Sequence, residues 1–182
     1  MKINSHKLLN DLREMTLSII TRVEDMKLED DKSLNAKSNN DSWSSLECIE
    51  HLNRYGRYYI PEIKQRISNA KKGNEGTFKS GWLGNYFAKS MMPSKKMKPI
   101  KTFVSMNPVG SQLDSVAVIK EFLEQQQQIL RILEVSKNID LTGTKTAISI
   151  SKLIKLRLGD TLRVVIYHNE RHIQQANNAL RG

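Results

Sequence analysis

Apolar residues at Leu8, Leu12, Met15, Ile19, Val23 and Met26 recur at steps of three and four, the spacing of one face of an amphipathic helix. The polar run Glu29 to Asp41 lacks that period and is expected as a loop. Trp43 then precedes Ser44 and Glu47, a serine and a glutamate at the spacing of a capping box, so a second helix is predicted from Ser44. Leu46, Ile49, Leu52, Tyr59, Ile60, Ile63 and Ile67 carry its apolar face, with Pro61 as the one discordant residue and a kink or adjusted turn expected there.

Glycines and prolines punctuate residues 73 to 112 too often for a regular element, which predicts a long crossover. Trp82 to Met92 is apolar enough for a short helix inside it, and a connection of this length in a compact domain is often a lid or a binding loop. A third helix is predicted from about Leu113 to Val135, then an extended or irregular stretch over 136 to 156. The last helix is expected to open near Asp160, read as its N-cap, and to run to Leu180. These elements predict one all-α domain over residues 1–182 built on four long helices.

Length and composition agree with that reading. A chain of 182 residues fits one domain with a core of its own, and no window approaches the eighteen unbroken apolar residues of a membrane span. Met1 to Lys7 are not followed by the apolar stretch of a secretory signal, and Cys48, the only cysteine, excludes an internal disulfide, a Cys-rich zinc module and a CxxC redox pair. A cytoplasmic location is expected. The net charge is +10, and residues 71 to 101 hold eight lysines against Glu75. Such a stretch attracts anions non-specifically, but it is not joined by zinc-finger cysteines, a P-loop or interleaved RNA-motif aromatics, so specific nucleic-acid binding is not expected.

The candidate chemistry lies in the histidines. His168 and His172 stand four apart on the last helix, about 5 to 6 Å apart on one face, within reach of one metal ion. Ordinary surface or core histidines also occur at this spacing. The pattern is not the zinc-protease HExxH, because Asn169 follows His168 where that motif has its glutamate. His51 shares a helix face with Cys48, Leu52 and Tyr55, and read alone it fits a buried, hydrogen-bonded histidine. Cys48 fits a small buried hydrophobe better than a reactive thiol, and His6 reads as surface. A conventional serine triad is not supported, since no nucleophile-elbow sequence is present.

Taken together, Trp43-Ser44, Glu47 and His51-Leu52, followed late in the chain by His168-x-x-x-His172 and Gln175, resemble the DinB/YfiT-like superfamily of metalloenzymes. The order and spacing of both motifs match, and the resemblance spans most of the chain, with a long crossover between the second and third helices. It implies a four-helix bundle with a divalent metal held at one end by His51, His168 and His172. The lysine-rich crossover departs from the family's simplest pattern.

The resemblance also implies a homodimer and an activity on a small molecule, either transfer of a low-molecular-weight thiol or hydrolysis. Three neutral imidazoles leave coordination positions open, as in catalytic sites. Zinc is the first expectation, with nickel, manganese or iron as alternatives, because histidine ligation discriminates poorly among them. Glu47, Tyr55 and Gln175 are candidates to support the ligands or line the pocket, although the capping role explains Glu47 equally well. The competing class is a non-catalytic, stress-related helical interaction protein that binds metal for stability or not at all.

Overall fold

The computed structural model describes residues 1–39, 42–73, 76–93 and 102–181. Lys95, Lys96, Lys98 and Lys101 of the basic segment, its Glu75, and Asn40 and Asp41 of the polar run lie outside the described residues. Helices dominate the rest: α1 (Ser5–Met26), α2 (Asp31–Asn35), α3 (Ser45–Ser68), α4 (Trp82–Met91), α5 (Ser115–Ser136) and α6 (Leu158–Leu180). Two small antiparallel sheets accompany them, β1 (Lys2–Asn4) with β2 (Thr77–Lys79), and β3 (Lys145–Ile148) with β4 (Ser151–Arg157). The all-α class read from the periodicity holds. Among the described residues, no helix is long and apolar enough to cross a membrane.

Each long helix buries the face its period marks. Leu8, Leu12, Ile19 and Val23 of α1 meet Phe122, Ile129 and Leu133 of α5 and Leu162, Ile166 and Ile173 of α6 in one core, to which α3 adds Leu46, Ile49, Leu52 and Ile63. A fully buried side chain of this size contributes about 1.5–3 kcal/mol relative to exposure, so this shared core dominates the stability. α3 packs on both α5 and α6, and α1 packs on the same two helices, so α3 and α6 lie side by side where the histidines need them.

Local signals set the helix starts. Ser44 and Glu47 form the full capping box, with the Ser44 hydroxyl accepting from the Glu47 N–H and the Glu47 carboxylate accepting from the Ser44 N–H. α1 begins at Ser5, earlier than its apolar period shows, because the Asn4 side chain caps it by accepting from the Lys7 N–H. α3 runs unbroken through Pro61, whose ring lies on the exposed side. The polar run expected as a loop contains α2, which starts on the side chain of Asp30.

The start of α6 corrects the sequence reading. The helix opens at Leu158, and Asp160 lies in its first turn, fully buried, instead of capping it. Its carboxylate accepts from the Ser80 hydroxyl, the Gly81 N–H and Arg163, so donors from the crossover take the place of the helix's own free amides. Two glycines make this approach possible. A Cβ at Gly84 would lie 2.4 Å from the Asp160 carboxylate, and one at Gly159 would lie 2.6 Å from the ring of Phe78, which is itself completely buried. The crossover is thereby fastened to the last helix. β2 pairs in register with β1, with Ile3 opposite Phe78.

Candidate metal centre

His51 sits two turns into α3, on the buried face that continues from the capping box, and His168 and His172 sit one turn apart on α6. One ring nitrogen from each of the three lies within 4.8 Å of the other two. His51 is buried, and His168 and His172 are partly buried. The Nε2 atoms of His51 and His168 are 3.3 Å apart. Two imidazole nitrogens at about 2.0–2.1 Å from a tetrahedral zinc ion would be separated by roughly 3.3–3.4 Å.

The remaining ring nitrogens explain why these faces converge. His51 Nδ1 lies 2.7 Å from the carbonyl oxygen of Met106. A carbonyl only accepts, so Nδ1 carries the proton and the Nε2 lone pair is left free. His172 Nδ1 donates in the same way to Gln175 Oε1, at 3.0 Å. Fixing the tautomer through the second nitrogen is the usual device of metal-binding histidines. Without a cation, an Nε2–H of His168 supplies the one proton that the His51 lone pair accepts.

Aromatic rings hold the group in place. Trp43 packs at 4.7 Å from the His51 ring and stacks at 5.7 Å on His172, and Tyr55 packs edge-on against His51 at 5.0 Å and His168 at 4.7 Å. Burial pushes His51 down to about 4 and His172 to about 3, and lowers His168 well below the usual histidine range, with the neighbouring imidazoles adding to the effect on the two α6 residues. The set therefore stays neutral at pH 7, the protonation state a metal requires.

This has a measurable consequence for the metal-free protein. Unfolded histidines take up protons near pH 6.5 while the folded ones resist, so the stability held by the neutral rings is fully present above pH 6.5 and is lost as pH falls through about 4. At pH 5.5 the loss is about 1 kcal/mol per histidine. Urea titrations at pH 7 and pH 5.5 should show it, and His51→Ala/His172→Ala should flatten the dependence. An equal slope in that variant would rule these residues out as its source.

The other sequence candidates are placed as follows. Both carboxylate oxygens of Glu47 have partners elsewhere, Lys37 Nζ at 2.8 Å and the Ser44 N–H at 2.9 Å. Tyr55 borders the histidines, and burial pushes its phenol up to about 12, so it keeps its proton. Glu170 turns to α1 and pairs with Arg22, away from the zinc-protease role. Cys48 lies in the core with its thiol pushed up to about 12 by burial, and His6 is exposed.

Two contributors escaped the sequence reading. Met106 acts through a carbonyl that every residue possesses, so nothing in its identity signals the role. Arg54, one turn after His51, binds Glu50 Oε1, the Asn107 carbonyl at 2.6 Å and the Ser111 hydroxyl at 2.8 Å, which holds the returning crossover against α3 beside the Met106 contact. Its charge and its place on the histidine-bearing helix were the available signal.

Donor type, tautomer, neutrality and spacing all fit a divalent cation. No curated protein and no solved structure matches the chain. The model of the DinB superfamily matches residues 8–176, from the first turn of α1 to about one turn before the end of α6, and takes in all three histidines; the chain belongs to the DinB superfamily.

Proposed function

We propose that the protein is a metal-dependent enzyme acting on a small molecule, by transfer of a low-molecular-weight thiol or by hydrolysis, with His51, His168 and His172 as the ligands and zinc as the first choice of metal. The observation that carries this reading is the convergence of three neutral imidazoles, two of them with Nδ1–H committed to Met106 and Gln175. A divalent cation there would supply Lewis acidity and make a water or a thiol nucleophilic near neutral pH.

The chain's own residues supply the rest. Met106 and Gln175 fix the tautomers, and Trp43 and Tyr55 fix the ring planes. Three histidine ligands leave positions for exchangeable groups, the arrangement of catalytic sites and not of closed structural ones.

Elemental mass spectrometry of the purified, tag-free protein, followed by screening of thiol-transfer and ester- or amide-hydrolysis reactions, tests the proposal. About one metal per chain, lost in His51→Ala together with any activity found, is the expected result. Wild-type protein that takes up neither zinc nor nickel would sink it. Gln175→Ala should lower zinc affinity about 10- to 100-fold, since it removes the acceptor that orients His172. A competition titration with a chromophoric chelator measures this, and an unchanged affinity would remove Gln175 from the site.

A further inference from the structure

His168 and Tyr55, which belong to or border the histidine group, also form part of the wall of a cavity of about 80 Å³. Leu52, Tyr59, Ile129 and Val165 line it from α3, α5 and α6. Phe87 and Met91 of α4, with Ile148 and Ile150 of the β3–β4 hairpin, form its outer wall, and Ile150 is 55% exposed, so the cavity can be reached from solvent. Among the described residues, no Asp, Glu, Lys or Arg side chain lines it, in a chain where such residues make up 26%.

The amides in the wall have protein partners. Asn169 Nδ2 donates to Gln126 Oε1 at 3.1 Å, and Gln125 Nε2 donates to the Asn53 carbonyl and to Glu121. The Gln125 amide lies against α3 where only a glycine fits, since a Cβ at Gly56 would fall 1.8 Å from its Oε1. Ligand sites are concave and mostly apolar, with a few fixed polar groups in the wall. A mostly apolar space that shares His168 with the histidine group and can be reached from solvent suits an apolar occupant.

We propose that this cavity receives the uncharged, apolar end of the substrate, a straight chain of about three or four carbons, while its reacting atom faces the histidines. The size follows from the volume, about half of the ~150 Å³ apolar cavity that holds a benzene ring. The absence of charge follows from the wall, because a buried ionic group without a partner is strongly disfavoured. The position of the reacting atom rests on the metal-centre reading, whereas occupancy of the cavity does not.

Methyl-detected NMR titration of the full chain, with and without one equivalent of zinc, tests this with 1-butanol, butyrate, butylammonium and benzene. Saturable 1-butanol binding that shifts the Ile129, Ile148 and Val165 methyls is expected, with butyrate, butylammonium and benzene at least tenfold weaker. Val164→Phe, which adds a ring to the wall, should weaken 1-butanol at least tenfold and leave zinc uptake intact. Absence of saturation, equal binding of the charged probes or benzene, or no effect of Val164→Phe would overturn the proposal. Should Val164→Phe not fold, wild-type crystals under xenon decide: a xenon site between Ile148 and Val165 supports the cavity, and its absence overturns it. If the wild type takes up no zinc yet binds 1-butanol as described, the metal reading fails and the cavity stands; zinc uptake without 1-butanol binding is the reverse.

Discussion

His168→Ala/His172→Ala should lose all zinc-dependent stabilisation. A ligand that binds only the folded state at a thousand times its dissociation constant stabilises by about 4 kcal/mol. For a domain of this size, with about 2–4 °C in melting temperature per kcal/mol, wild type should gain roughly 10 °C. The double variant leaves His51 as the one remaining member of the group, and a single imidazole does not hold a cation at that level. Thermal denaturation with and without zinc measures the difference. His6→Ala is the control, since His6 is exposed and is not a member of the group. A shift surviving in the double variant would place zinc elsewhere and remove the centre described above.

The second large effect concerns the fastening of the crossover. Asp160→Ala should destabilise the protein by about 3–5 kcal/mol, the range seen when one partner of a buried ion pair is removed and the other charge stays behind. Arg163 is 4% exposed, its Nε finds no hydrogen-bond partner among the described residues, and its Nη1 uses Asp160 Oδ1 together with the Ser80 and Asn85 side chains. The Ser80 hydroxyl and the Gly81 N–H would lose their acceptor as well. Chemical denaturation of Asp160→Ala beside Asp160→Ala/Arg163→Met separates the terms, because the double variant removes the stranded charge and should recover part of the loss. A single variant within 1 kcal/mol of wild type would show that the network contributes little.

How much of this was legible in the sequence depended on range. The long helices could be read because their period and caps are local: Ser44 and Glu47 are three residues apart, and the apolar stripe of α1 repeats every turn. The fastening of the crossover was not legible. β1 and β2 have three residues each and pair across more than seventy intervening positions, too short a pattern to stand out from a loop. Asp160 looked like an N-cap because Asp after Gly at a helix start is the ordinary local solution, and only the arrival of Ser80 and Gly81 gives its carboxylate better donors. The three histidines stood out by scarcity and spacing together with the motif around Trp43. Their orienting partners divided by type: Gln175 was visible three residues from His172, while the Met106 carbonyl was silent.

The placement of the histidines on two separate helices also sets a clock on assembly. His51 and His168 are 117 residues apart in the chain, which at a synthesis rate of about 5–20 residues per second means roughly 6 to 23 seconds between their appearances. During that interval α3 presents an imidazole whose partners on α6 have not been made, and a metal ion meeting the nascent chain finds one ligand instead of three. On the proposed metal reading, loading would be deferred until the last helix has docked, so that taking up the ion would be an event of the finished protein and not of its growing chain.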